Sequence, residues 1–332
     1  MDIINVQDYD IVIERGALSK IGELLALQRK VLILTDTGVP KEYAAAVERA
    51  SKEPYTVIIP AGEESKSLES FEKVLSVMLE NSFTRADAVV AVGGGVVGDL
   101  AGFCAACYMR GVDFYNVPTT LLSEVDSSIG GKTAANLHGV KNVVGAFYTP
   151  KRVVIDPDTL KTLDERQLRA GLAESIKMAV CFDKELYEKI EGADSLSQII
   201  DDVIIGSLGI KKRVVEEDFK EKGLRAALNF GHTAGHAIEA LSKGKYLHGE
   251  CVAMGMLPFC SAGVRASLEA VLKKFGLETR IEYFARDLAQ YVLHDKKMAK
   301  DKIKAVLVDE VGSFYFKELG VSEIIKMLEE AK

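Results

Sequence analysis

At 332 residues the chain is too long for one compact core and fits two domains of ordinary size. Apolar residues make up 48% and charged ones 27%, with no Pro-, Gln- or Ser-rich tract, which excludes a disordered chain. The net charge of −7 argues against a nucleic-acid partner, so an anionic small ligand would have to be met by local cations.

In chain order, the start Met1-Asp2-Ile3-Ile4 lacks a signal peptide's basic flank and apolar core. No apolar run reaches the roughly 20 residues of a membrane span. A soluble, cytoplasmic protein that touches no membrane is therefore expected. Residues 31–34, 56–59, 88–92 and 153–155 are short β-branched runs, each followed by turn residues or a helical segment. That alternation predicts a parallel, helix-covered sheet. After Asp156-Pro157 the pattern changes to long amphipathic helices, predicted over 165–182, 196–217, 232–241 and 249–266. The boundary is accordingly placed at 156/157, with an α/β domain over 1–156 and a mainly helical one over 157–332. Residues 304–308 and 313–316 flank Asp309-Glu-Val-Gly312 and predict a small β-hairpin. Five cysteines, an odd number, predict reduced thiols, and Cys104-x-x-Cys107, lacking a second pair, reads as small core-packing residues.

Three features carry chemistry. The strand ending at Val92 runs into Gly93-Gly-Gly-Val-Val-Gly-Asp99 and then a helix, whose N-terminal N–H groups could receive a pyrophosphate. The spacing departs from the usual G-x-G-x-x-G, and a tight packing turn is the competing reading. His232 and His236 stand at i and i+4 on one helix face with Glu239 on the same side, and His248 follows; three of five histidines thus fall within a short stretch. Glu174 sits in Gly171-Leu-Ala-Glu-Ser-Ile-Lys177; two imidazoles and a carboxylate have the composition of a catalytic zinc site, although spacing does not decide which of these groups are ligands. Finally, Lys211 interrupts the apolar stripe Ile200, Ile204, Leu208, Val215, and must either snorkel outward or meet an anion. Lys132, Lys177 and Arg225 similarly adjoin glycine or small-residue stretches.

Residues 93–102, Val117-Pro-Thr-Thr-Leu-Leu-Ser-Glu-Val-Asp-Ser-Ser-Ile-Gly-Gly-Lys-Thr133, Leu228-Asn-Phe-Gly-His-Thr-Ala-Gly-His-Ala-Ile-Glu239 and Leu247-His-Gly-Glu250 together resemble the 3-dehydroquinate synthase family. The match is long and ordered, from about Val31 to the hairpin. It implies an N-terminal Rossmann-like α/β domain that binds NAD, a C-terminal helical domain that binds metal, and a homodimer. The implied ligands of the divalent metal, zinc or cobalt, are Glu174, His232 and His248, leaving His236 for substrate or proton relay. The implied substrate pocket is Asp126, Lys132, Asn142, Lys177, Lys211, Arg225, Asn229 and His236, with Arg110 from a neighbouring subunit and Lys296 or Lys297 as a last contribution. The implied cofactor residues are Asp36, Glu63, Lys66, Gly93, Gly94, Gly95, Val96, Val97, Gly98, Asp99, Thr119, Thr120, Lys132, Lys141 and Thr162.

The family's reaction closes a seven-carbon sugar-acid phosphate into a carbocycle with loss of phosphate, through transient oxidation by NAD, β-elimination, reduction and aldol closure. Gly38, Val140 and Ala234 depart from the family's common Asn, Gly and Phe, which bears on loop shape and cofactor affinity. Asn229, His236 and Lys211 keep the synthase form, whereas related sugar phosphate cyclases generally alter them. A related cyclase and a metal-dependent polyol dehydrogenase of similar build are the rival enzymes, and a nucleotide-binding sensor without metal is the rival from outside enzymology.

Overall fold

The computed structural model describes residues 1–221, 223–295 and 302–331. It divides into two compact units, Met1–Asp164 and Glu165–Lys332.

The first unit is built on nine strands: β1 Asp2–Val6, β2 Tyr9–Ile13, β3 Lys30–Asp36, β4 Glu53–Ile59, β5 Ala88–Gly93, β6 Asp113–Pro118, β7 Lys132–Leu137, β8 Val140–Phe147 and β9 Arg152–Ile155. Seven form one sheet in the order β1-β2-β9-β6-β5-β3-β4. Only the β1–β2 pair in it is antiparallel. The four predicted strands all lie in it, and the α/β reading holds. Its helices are α1 Ile21–Leu24, α2 Lys41–Ala50, α3 Leu68–Glu80 and α4 Gly95–Cys107. Alternate residues of β3 serve opposite faces, as a period of two requires. Leu32 and Leu34 pack with Val74 and Met78 of α3 and Leu100 of α4, while Val31 and Ile33 pack with Ala44 and Val47 of α2. Because β4 lies outside β3 and β5 returns on its other side, the winding reverses between β3 and β5. The carboxyl ends of strands at such a reversal are where open α/β sheets take their ligands.

The five cysteines are free thiols. Cys104 is buried in the core as expected, but Cys107 is exposed, a correction to the paired core reading: it is the last residue of α4, where the helix leaves the core.

In the second unit the helices are α5 Glu165–Phe182, α6 Lys184–Gly192, α7 Leu196–Glu217, α8 His232–Ser242, α9 His248–Met256, α10 Ala262–Lys274, α11 Ala285–Asp295 and α12 Val321–Glu330; β10 Lys302–Leu307 and β11 Tyr315–Gly320 form the antiparallel hairpin. Helix α5 is buried over every residue from Ala170 to Cys181 and packs against α6, α7 and α9. Residues 249–266 are not one helix. Helix α9 ends at Met256, a 3₁₀ turn over Leu257–Phe259 contains Pro258, and Ser261 caps α10 by accepting the Val264 N–H. Proline cannot supply the helix-propagating N–H and clashes with the preceding turn, so the apolar pattern continues while the helix does not.

Candidate metal centre and glycine loop

Helices α5, α8 and α9 approach one another closely enough to bring their side chains to one point, and glycine is what permits it. A Cβ on Gly249 would stand 1.9 Å from the Ala170 carbonyl oxygen of α5, and one on Gly255 would stand 2.2 Å from the carbonyl of Gly231, which precedes α8. The entry to α9 is fixed by Glu250, which accepts the Leu247 N–H at 2.7 Å and takes both the Nε and an Nη of Arg166, on α5, at 2.7 Å. One forked ion pair therefore ties the start of α9 to α5.

At the point of convergence, the ligand-type atoms of Glu174, His232 and His248 all lie within 4.8 Å of one another. Glu174 Oε1 is 3.5 Å from His248 Nε2 and 4.0 Å from His232 Nε2. Ligands held at about 2.1 Å on a tetrahedral ion stand about 3.4 Å apart, so the three need only a small contraction to share one. Both imidazoles are presented by the same nitrogen. His232 Nδ1 lies 3.2 Å from the Phe230 carbonyl and His248 Nδ1 lies 2.9 Å from Glu239 Oε2; each of those partners can only accept, so each Nδ1 donates and Nε2 is turned inward.

The electrostatics also suit a cation. The Glu174 side chain is 1% exposed, and neither of its oxygens accepts a hydrogen bond of good geometry. Burial disfavours its charge, but Lys177, in ion-pair contact one turn along α5, together with His248 and His232 holds it well below the usual carboxylate range. Burial, aided by the charge of Lys177, holds His232 well below the usual imidazole range and keeps it neutral. Burial works the same way on His248, but Glu174 and Glu239 outweigh it and push this imidazole up to about 9. A buried carboxylate poor in hydrogen bonds, facing two Nε2 atoms, is a donor set that fits a divalent ion.

His236 stands outside this triad and is exposed, its ring centroid 5.1 Å from that of His232 and 5.9 Å from that of His248. Lys177, Lys211 and Arg225 are all buried, at 2%, 5% and 3% exposure, so Lys211 does not snorkel. Lys211 on α7 and Arg225 and Asn229 on the 3₁₀ turn Leu224–Asn229 sit on elements packed against each other and against α5. Arg225 donates to the Phe219 carbonyl at 2.6 Å, and Asn229 to Glu221 at 2.7 Å. Lys296 and Lys297 lie outside the described residues.

In the first unit, Asp36 and Gly93 are the last residues of β3 and β5, Thr119 and Thr120 follow β6, and Glu63 follows β4. Gly94 is the N-cap of α4 with no side chain capping it, which leaves the turn open to an anion. Packing also explains part of the glycine run: a Cβ on Gly95 would meet Ser127 Oγ at 3.0 Å, and Gly98 packs on Asn116 in the same way. Val96 and Val97 lie in the first turn of α4, Val97 fully buried. Lys66 is buried at 4% and pairs with Asp99 at 2.8 Å and Glu63 at 3.6 Å. Asp36 accepts the Gly38 N–H at 2.7 Å, so the Gly38 departure keeps a backbone link to the predicted nucleotide residue. Thr162 pairs with the Tyr43 hydroxyl at 2.8 Å. Asp126 lies in a π-turn, Ser123–Ser127. Lys132, Lys141 and Asn142 are exposed on the β7–β8 hairpin, Asn142 with φ +55°, and Arg110 is exposed with φ +67°.

Sequence reasoning missed three supporting groups. Asn136 donates to Glu63 Oε1 at 2.8 Å and accepts the Asn142 N–H at 2.8 Å, joining a predicted cofactor residue to a predicted substrate residue. Asp218 accepts the N–H groups of Gly223 and Arg225 at 2.6 and 3.0 Å and shapes the loop that presents Arg225. The Arg166–Glu250 fork is the third. Only Glu250, three residues beyond the helix-opening Leu247, carries a local sequence signal, that of an N-terminal capping position.

The fold is that of the dehydroquinate synthase-like sugar phosphate cyclases. The chain is 25% identical to 2-deoxy-scyllo-inosose synthase, solved with carbaglucose-6-phosphate, NAD⁺ and Co²⁺, with a TM-score of 0.90 over 99% of this chain and 100% of that one. It is 26% identical to 2-epi-5-epi-valiolone synthase from Streptomyces hygroscopicus, solved with NAD⁺ and Zn²⁺, with a TM-score of 0.89 over 100% and 98%. Sequence narrows the class further. Family models for the 3-dehydroquinate synthase N-terminal and C-terminal regions match residues 56–170 and 171–298, and the 3-dehydroquinate synthase of Enterococcus faecalis is 42% identical over 95% of this chain and 94% of its own. The chain belongs to the 3-dehydroquinate synthase family.

Proposed function

We propose that the protein is a 3-dehydroquinate synthase, an NAD- and divalent-metal-dependent carbon–oxygen lyase that converts 3-deoxy-D-arabino-heptulosonate 7-phosphate into 3-dehydroquinate and inorganic phosphate. The observation that carries this reading is the convergence of Glu174, His232 and His248 within 4.8 Å in a chain of this family. A divalent ion there would act as a Lewis acid on a substrate hydroxyl and favour its oxidation. NAD⁺ would take the hydride and give it back later in the same turnover, so no cofactor is consumed.

The remaining work falls to the chain's own groups. Once the ring hydroxyl is a ketone, the neighbouring C–H is acidic; its proton passes to an oxygen of the substrate's own phosphate as the C–O bond to that phosphate breaks, forming an alkene conjugated to the ketone and free hydrogen phosphate. Buried Lys177, Lys211 and Arg225 supply fixed positive charge for the anionic substrate without reorganisation, which is where electrostatic catalysis is strongest. Asn229 and Lys296 or Lys297 are proposed as further substrate residues of the second unit and Asp126, Lys132 and Asn142 as those of the first, with Arg110 from a second copy in a homodimer. His236, exposed beside the triad, is the proposed proton relay. The uncapped start of α4, with Asp36, Glu63, Lys66, Asp99, Thr119, Thr120, Lys141 and Thr162, is the proposed NAD site. The proposed division is an NAD-binding domain over 1–156 and a helical metal- and substrate-binding domain over 157–332, with Asp126, Lys132 and Asn142 of the proposed substrate residues and Thr162 of the proposed NAD site falling on the other side of that boundary. No described helix is long and apolar enough to cross a membrane, and a cytoplasmic location is proposed from the substrate's chemistry.

The test is direct. The metal-loaded protein with catalytic NAD⁺ and 3-deoxy-D-arabino-heptulosonate 7-phosphate should release stoichiometric phosphate with no net NADH, and chelation should stop it. Net NADH formation from a polyol would instead identify a dehydrogenase, and phosphate release from a six-carbon sugar phosphate alone would identify a different cyclase.

A further inference from the structure

We infer that Glu239 is a positioning residue of the metal centre, fixing which nitrogen of His248 faces the ion; the inference rests on the reading of Glu174, His232 and His248 as ligands. The geometry is specific. Glu239 Oε2 stands 2.9 Å from His248 Nδ1, and the opposite nitrogen, Nε2, is the one 3.5 Å from Glu174. A carboxylate has no proton to give, so this contact holds only when Nδ1 carries hydrogen. The ring is then pinned with Nε2 inward, and its lone pair becomes available to the ion once any proton there has left.

The location strengthens the case. Glu239 lies on α8, two turns beyond His232, so one helix supplies a ligand itself and the orienting group for the ligand on α9. The two histidines are secured differently. His232 relies on the Phe230 backbone carbonyl, which no side-chain substitution removes, whereas His248 relies on a side chain. His248 also needs the restraint more. It is the first residue of α9 and 34% of its side chain is exposed, against 15% for His232, so packing alone constrains its ring less. A carboxylate behind a ligating imidazole raises the basicity of the metal-facing nitrogen, and losing such a partner commonly weakens metal binding by about 10- to 100-fold.

The experiment uses the full chain, stripped of metal and titrated with cobalt(II) alone in competition with a chromophoric chelator. Glu239→Ala, Glu239→Gln and His248→Ala are compared, and each is checked for folding by circular dichroism before loading. Glu239→Ala should bind cobalt about 10- to 100-fold more weakly, with an altered visible absorption band as the His248 ring loosens. Glu239→Gln, whose amide oxygen can still accept from Nδ1, should recover most of the affinity and the original band. A purely structural role predicts no such rescue at equal fold. Unchanged affinity and spectrum in Glu239→Ala, with His248→Ala clearly weakened, would overturn the inference while leaving the ligand assignment standing. Equal loss in the Gln and Ala variants would also overturn it. Unchanged binding in His248→Ala would remove the ligand assignment itself, and this inference with it.

Discussion

Which of three neighbouring histidines face a common carboxylate is decided by atoms, not by spacing. His232 and His236 form an ideal i, i+4 pair, yet the carboxylate of Glu174 on a different helix selects His232 and His248, because their Nε2 atoms are the ones turned toward it. That selection was invisible in the pattern itself and reached the sequence reading only through family likeness. Lys211 was readable: a lysine on an apolar stripe is costly unless it faces an anion, and it is indeed buried. Asn136 was not, because its role consists of bonds to Glu63 and Asn142 that exist only after the chain has folded. Its removal gives a test. Asn136→Ala leaves Asn142 without the acceptor that holds its backbone at φ +55° and takes one donor from the Glu63 carboxylate, which keeps Lys66. Loss of such a bond costs about 1–3 kcal/mol, so NAD⁺ should bind roughly tenfold more weakly by calorimetry. Unaltered NAD⁺ affinity would show that Glu63 needs no such support.

Among the elements, α5 and α7 begin and end where the amphipathic pattern places them, since charged or capping residues bound an uninterrupted period. The pattern failed at 249–266 because hydrophobic periodicity reports which face is buried and says nothing of the missing N–H at Pro258. It also could not reveal how closely α9 approaches α5, which depends on one absent methyl group. Gly249→Ala would place Cβ against the Ala170 carbonyl, and backbone cannot swing aside. We expect a loss of about 1–3 kcal/mol in thermal unfolding together with weakened cobalt binding, since His248 is the adjacent residue. Gly209→Ala, on α7 with nothing within 4 Å of the added Cβ, is the control and should stabilise by about 0.5–1 kcal/mol. Equal behaviour of the two variants would contradict the proposed role of close helix packing.

For the molecule as a whole, the α/β and helical halves were legible because strand-type and helix-type periodicities occupy separate stretches of chain. The sheet order was not, as strand neighbours are set by long-range pairing. Each unit carries its own buried interior, and the three proposed metal ligands all belong to the second. Chelation should therefore speed amide exchange in α5, α8 and α9 while β3, β5 and β6 keep their protection, as read by hydrogen–deuterium exchange mass spectrometry. Uniform loss of protection across both units would argue instead for a single cooperative structure.

The three proposed ligands are drawn from residues 174, 232 and 248, on three helices that meet only in the finished fold. An unfolded chain offers an ion no such trio, so the free energy of loading is spent on the native state and grows with the free ion concentration. Scarcity of the ion inside a cell would then do more than idle the catalyst. It would leave a larger share of newly made chains open to proteases, and the amount of protein, as well as its activity, would track the supply of metal.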